Sequence, residues 1–179
     1  MKMTGLQRIA DGLYVLTLST SSGQQRDPAR AQIRAAVRAA LSQLLSIPAQ
    51  QINIRSVPGS APQIEAAGRQ IGCSFSHEEG LSLAALNLHG PIGVDLMKIQ
   101  AIPDWESVAR DYLGPQTCEA LRACRPEDRP RAFAQAWTAH EARLKCLGLP
   151  LTEWPIPAQT APRLIEVAVP SGWQAALAC

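Results

Sequence analysis

Between Cys73 and Leu96 the chain carries three short apolar segments cut by two turn-forming interruptions, a pattern through which no helix can run. The apolar segments are Cys73–His77, Leu81–Leu88 and Ile92–Leu96, and the interruptions are Glu78-Glu79-Gly80 and His89-Gly90-Pro91. Glycine accepts positive φ and proline withdraws a ladder donor, so both interruptions are hairpin punctuation. The centre of the chain is therefore expected to be short antiparallel strands.

Helical periodicity stands on either side. Asp27 and Pro28 form a helix-start signal, and Ile33, Val37, Leu41, Leu44 and Leu45 recur at helical spacing, which predicts a helix to about Ser46 before Pro48 stops it. A second helix is predicted from about Arg131 to Leu147, capped by Gly148 with Pro150 beyond. Leu13–Leu18, Gln51–Val57, Leu164–Val169 and Trp173–Leu177 read as further strands, a Ser/Gly/Gln loop follows Leu18, and Pro58–Pro62 reads as a connector. So do the prolines at Pro150, Pro155, Pro157 and Pro162. From Trp105 the pattern turns helical, broken by an Arg-rich loop from Arg122 to Arg131. The expected fold class is α+β, in two similar lobes that each pack a long helix on a small antiparallel sheet. The seam falls near His89 to Gly93, giving an N-terminal lobe over 1–90 and a C-terminal lobe over 91–179.

With 179 residues, 46% hydrophobic and 18% charged, the chain has enough apolar material to bury a core, which excludes global disorder. A formal charge of +2 is too small for a duplex nucleic-acid footprint. No apolar run approaches the roughly 20 residues of a membrane span, so the expectation is a cytoplasmic protein without nucleic-acid or membrane partners. Its five cysteines, Cys73, Cys118, Cys124, Cys146 and Cys179, contain no C-x-x-C pair and read as reduced thiols.

Three segments put polar groups where apolar ones would pack better. In Ile92-Gly93-Val94-Asp95-Leu96, strand alternation sets Ile92, Val94 and Leu96 on one face and Gly93, Asp95 and Met97 on the other. A carboxylate there must be solvated, hydrogen-bonded or bound to a cation. On the second helix Phe133, Trp137, Leu144 and Leu147 share an apolar face with Glu141 and Lys145 on its flank, four residues apart as in an ordinary helix-surface ion pair. His140 falls near the centre of that face and reads as a packed histidine with satisfied nitrogens. Ser76 and His77, the third segment, stand at a strand end where they could hold phosphate oxygens. Cys73 with His77 as a thiol and imidazole pair is the competing reading, and a turn histidine without a role is the plainest. Arg30, Arg34 and Arg38 form one basic stripe on the first helix, open to a solvated-face or a phosphate-binding reading.

Taken in order, Ser-His after an apolar strand, Gly-Val-Asp about eighteen residues on, and Trp-Thr-x-x-Glu-Ala-x-x-Lys on a helix resemble the 4′-phosphopantetheinyl transferase superfamily. The long helix before Gly68-Arg69-Gln70 and Ser76-His77 makes the chain similar to the two-lobed, pseudo-dimeric type that activates peptide and polyketide synthetases. The resemblance runs from about Asp27 to Gly148. It implies Mg²⁺-dependent transfer of the phosphopantetheine arm of coenzyme A to a serine of an acyl or peptidyl carrier protein, releasing 3′,5′-ADP, by a monomer.

The resemblance also implies site roles. Asp95 and Glu141 would hold the metal, with Glu141 as base, and Lys145 would neutralise phosphates. Ser76, His77 and Arg69 would bind coenzyme A, joined by Arg30 and Arg34. The pattern departs from the family's at Met97, where many relatives carry a third metal-binding Glu, at His140 in place of Lys, and at Gln70 in place of Pro. A carrier-binding protein of the same fold with weak catalysis is the alternative, and a cysteine enzyme built on Cys73 is a third. The loop arginines Arg122, Arg125, Arg129 and Arg131 are open to two readings, a solvated loop or a docking surface for an acidic carrier.

Overall fold

The computed structural model describes residues 3–20, 26–56, 61–155 and 161–179, so the loop after Thr20, part of the Pro58–Pro62 connector, the end of the Gln51–Val57 segment and Pro157 lie outside the described residues. The strands are β1 (Met3–Ala10), β2 (Leu13–Ser19), β3 (Ile52–Arg55), β4 (Gln63–Ala66), β5 (Arg69–Glu78), β6 (Leu81–Asn87), β7 (Gly93–Lys98), β8 (Leu164–Glu166) and β9 (Trp173–Ala178). The long helices are α1 (Arg26–Leu45) and, after the shorter α2 (Trp105–Val108), a π-helical turn (Ala109–Leu113) and α3 (Pro115–Ala123), the helix α4 (Arg129–Leu147). The fold class is α+β, as expected.

Six antiparallel strands form one sheet in the order β1-β2-β6-β5-β4-β3, and three form a second in the order β7-β9-β8. Helix α1 covers one face of the large sheet through Ile33, Val37 and Leu41, against Leu16, Leu18, Ala84 and Leu86. The opposite face packs Leu13, Val15, Leu81, Leu83 and Ala85 against Val94, Leu96, Ala175 and Leu177 of the small sheet. With both faces covered, β6 is buried at every position, and its apolar run does not alternate with polar residues. Among the described residues no helix is long and apolar enough to cross a membrane.

Several local expectations change. Strands β1 and β4 form where none was expected, because each pairs with a strong neighbour, β2 and β5, across a tight turn. Helix α1 already includes Arg26, which puts Asp27 inside its first turn and not ahead of it. Helix α4 begins at Arg129, earlier than Arg131, and ends as expected at Gly148, whose left-handed φ of 68° closes the helix. Its deepest face also differs. Ala134, Thr138, Ala142 and Cys146 are buried at four-residue intervals, while Trp137 and Leu147 are only half-buried. Small residues let α4 lie close on β7 and β9, where Ala142 and Cys146 meet Ala176 and Ala178. At the closest point a Cβ on Gly93 would strike the Ala142 carbonyl and the Cys146 amide.

Candidate active site

Strand β7 is an edge strand of the small sheet, so half of its backbone groups point away from β9 and need partners. Side chains supply them. Val94 N donates to Ser74 Oγ at 3.0 Å and Leu96 N to Ser76 Oγ at 3.1 Å, both serines being on the β5 face opposite α1. Lys145 Nζ donates to the Val94 carbonyl at 3.2 Å. Thus β5 and α4 are both tied to β7 at the residues flanking Asp95.

Asp95 receives two donors, and both fall on the same oxygen. Ser76 Oγ donates to Oδ1 at 2.9 Å and Lys145 Nζ to Oδ1 at 2.7 Å. Oδ2 accepts no hydrogen bond from the described residues. It is not sealed either, since the one enclosed side-chain polar atom left without a partner there is His140 Nε2. The aspartate is therefore held by one oxygen and presents the other to a cavity of about 800 Å³.

Arg30, Ser76, His77, Asp95, Glu141 and Lys145 all line this cavity. Six of the eight residues expected at the site thus converge from α1, β5, β7 and α4. Glu141 is half-buried; loss of water, and then the charge of Asp95, raise its pKa above the usual carboxylate value, while Lys145 opposes the rise. The expected Glu141 and Lys145 surface pair does not form among the described residues, because the ammonium is drawn inward to Asp95 and the β7 edge. His77 Nδ1 lies 2.9 Å from Ser82 Oγ, which fixes the imidazole plane, and the ring stacks on Phe75.

Two expected residues lie elsewhere. Arg69 opens β5, seven residues from Ser76, which is roughly 23 Å along a strand, and it lines a different cleft with His89 and Pro91. Arg34 is half-buried on α1 and does not line the cavity, while the third arginine of the stripe, Arg38, donates to the Ile52 carbonyl. Phe75, Glu78, Leu96, Met97, Trp137 and Leu151 complete the wall. The alternation that sets Ser74 and Ser76 on one face of β5 extends to Glu78, and this signal locates it; nothing local marks Leu151.

Two further expectations are corrected, and the loop arginines are placed. Cys73 is packed in the α1 core, and burial pushes its thiol pKa up to about 12, so it is no nucleophile; His77, four residues on, engages Ser82. His140 is buried beside Trp137 with Nε2 unsatisfied, because its packed surroundings offer that atom no partner. Of the loop arginines, Arg122, Arg125 and Arg131 are exposed and Arg129 is half-buried. Arg122 pairs with Glu106 and Glu119, Arg125 with Asp128, and Arg129 caps the carbonyls of Leu121 and Cys124 while lying over the Trp105 ring.

Among the described residues no group of three His, Cys, Asp or Glu forms a ready metal cage. The open Oδ2 of Asp95 and the Glu141 carboxylate nonetheless suit Mg²⁺, which binds through one or two protein carboxylates and keeps several waters.

Comparison with known proteins finds a family model and curated relatives that match parts of the chain. Residues 91–176 match the family model described as the 4′-phosphopantetheinyl transferase superfamily. A Synechocystis sp. protein, provisionally named a 4′-phosphopantetheinyl transferase, is 31% identical over 117 residues, 65% of this chain and 48% of that protein. The 4′-phosphopantetheinyl transferase HetI of Nostoc sp. is 36% identical over 75 residues, 42% of this chain and 32% of that protein. The matches thus span about half or less of these relatives. Asp95, Glu141 and Lys145 all fall in the segment, residues 91–176, that matches the 4′-phosphopantetheinyl transferase superfamily model.

Proposed function

We propose that the protein transfers the 4′-phosphopantetheine arm of coenzyme A to a serine hydroxyl of an acyl or peptidyl carrier protein, releasing 3′,5′-ADP. The observation that carries this reading is the convergence of Asp95, Glu141, Lys145, Arg30 and His77 on one cavity at the junction of the two sheets. Residues 1–90 contribute the coenzyme A side of the cavity and residues 91–179 the metal side.

In this reading the carrier serine oxygen attacks the β-phosphorus of coenzyme A and the bond to the 3′,5′-ADP oxygen breaks. Positioning and charge neutralisation carry such a phosphoryl transfer. The Glu141 carboxylate accepts the serine proton, a task suited to a carboxylate of raised pKa. Lys145 and Arg30 place positive charge beside the pyrophosphate, and His77, its ring fixed through Ser82, adds a phosphate contact. Asp95 and Glu141 are the residues that would hold Mg²⁺, which when bound supplies further charge neutralisation at the pyrophosphate.

The test is mass spectrometry of apo carrier proteins incubated with the protein, coenzyme A and Mg²⁺. A gain of one phosphopantetheine is expected on at least one carrier. Binding of carrier and coenzyme A with no mass gain across the panel would overturn the reading in favour of a carrier-binding protein.

A further inference from the structure

We propose that Ser76 is a positioning residue that aims the Asp95 carboxylate, and that it is not a coenzyme A phosphate contact. The proposal rests on the transferase reading for its consequence, and on the hydrogen bonds of Ser76 for its substance. A serine hydroxyl has one proton to donate. Ser76 donates it to Asp95 Oδ1 at 2.9 Å while its oxygen accepts from Leu96 N at 3.1 Å. The residue is 5% exposed. A phosphate oxygen can only accept, so it can take nothing from this hydroxyl unless Asp95 first gives the proton up.

The geometry assigns the proton a purpose. Lys145 alone would leave the carboxylate able to turn about its Cβ–Cγ bond and present both oxygens to the ammonium. With Ser76 as a second donor on Oδ1, that oxygen is held between β5 and α4, and Oδ2 is kept toward the cavity where a cation would sit. A hydrogen bond to one oxygen of a ligating carboxylate orients the other and tunes its basicity.

Ser74 supplies the control. It lies two residues earlier on the same face of β5, is 5% exposed, and accepts from Val94 N at 3.0 Å as Ser76 accepts from Leu96 N. The two serines are equivalent as acceptors for the β7 edge. Ser76 differs in also donating to Asp95.

The experiment compares Ser74→Ala, Ser76→Ala and Ser76→Thr with the wild type in full-length protein. Four quantities are read: the urea unfolding midpoint, Mn²⁺ affinity by electron paramagnetic resonance, 3′,5′-ADP affinity by calorimetry, and transfer kinetics. Both alanine variants should lose stability to a similar degree. Ser76→Ala should weaken Mn²⁺ binding about tenfold, the lower end for losing a partner of a metal ligand, and lower kcat, with 3′,5′-ADP affinity and the KM for coenzyme A unchanged. Ser74→Ala should leave metal affinity at the wild-type value, and Ser76→Thr, which keeps the hydroxyl, should restore it. Equal metal effects in the two alanine variants would reduce Ser76 to a structural staple and overturn the proposal. Weakened 3′,5′-ADP or coenzyme A binding with unchanged Mn²⁺ affinity would overturn it in favour of phosphate contact. Ser76-dependent Mn²⁺ binding in a wild type that transfers nothing would uphold the positioning role and refute the transferase reading alone.

Discussion

Lys145 Nζ lies 2.7 Å from Asp95 Oδ1, fifty residues away in the chain, and makes no ion pair among the described residues with Glu141, one turn earlier on its own helix. The choice follows from burial. Asp95 has a side chain only 10% exposed and cannot rely on water, whereas half-buried Glu141 can. The Lys145 ammonium also satisfies the Val94 carbonyl on the open edge of β7. One side chain thereby closes the strand edge and leaves the second acid to the cavity.

Lys145→Met should accordingly lower both stability and activity. It removes a donor from a buried carboxylate and from an edge carbonyl, a loss of about 1–3 kcal/mol. Urea unfolding of the variant should show the reduced midpoint, and calorimetry should show weakened coenzyme A binding. Retention of both would disconnect the pair from the site.

Glu141→Gln should reduce transfer by about 10²- to 10⁴-fold, the usual contribution of a general base, with the fold intact. Burial and Asp95 raise the glutamate pKa in the folded state, so between the unfolded value of about 4.3 and the raised folded value the native protein binds more protons than the unfolded chain. This group therefore makes stability fall as pH rises through that window. The glutamine variant should lack the decline and be at least as stable as wild type at neutral pH, by thermal unfolding across the range.

His140 titrates with the opposite sense. Burial, and then the charge of Arg143, depress its pKa, so the unfolded chain takes up a proton near pH 6.5 that the folded protein refuses until the pH is lower. Its contribution to stability is complete above the unfolded value and is lost as the pH falls through the folded one. His140→Phe keeps a ring of similar shape and removes the unsatisfied Nε2. It should blunt the loss of unfolding temperature between neutral and mildly acidic buffers, and an unchanged acid sensitivity would show that another group carries it.

Met97→Glu should tighten the metal dependence. Met97 is two residues after Asp95 on the same face of β7 and lines the cavity beside it. A carboxylate there offers a third ligand in place of one of the waters Mg²⁺ otherwise keeps. The Mg²⁺ concentration for half-maximal activity should fall, at some cost in stability because Met97 also packs against the cluster around Phe133. Identical titrations for wild type and an active variant would refute the placement.

Most of the elements were legible because they depend on local rules, whereas Asp95, Glu141 and Lys145 were grouped only through the ordered motif and its resemblance. Turn residues punctuate β5, β6 and β7, helical spacing marks α1 and α4, and strand alternation correctly set Asp95 and Met97 on one face of β7. Strands β1 and β4 were not legible, since the Ile64 and Ala66 alternation of β4 spans only four residues and β1 has no sustained alternation; each is fixed by a neighbour that offers a ladder. Local spacing also suggested a Glu141 and Lys145 surface pair that the interior overrides.

The sequence by itself determined which residue types stand at each position, the periodicities that select helix or strand, and the ordered motif that carries the family resemblance. Tertiary structure alone decided how those groups divide their hydrogen bonds. Ser76 spends its one proton on Asp95, Lys145 turns inward, Arg69 goes to a different cleft, and Arg122, Arg125 and Arg129 are held by their neighbours. The reason is physical: an edge strand's exposed donors and acceptors, and a carboxylate with one oxygen turned into the interior, claim whichever partners the fold brings within reach, and those partners lie twenty or fifty residues away in the chain.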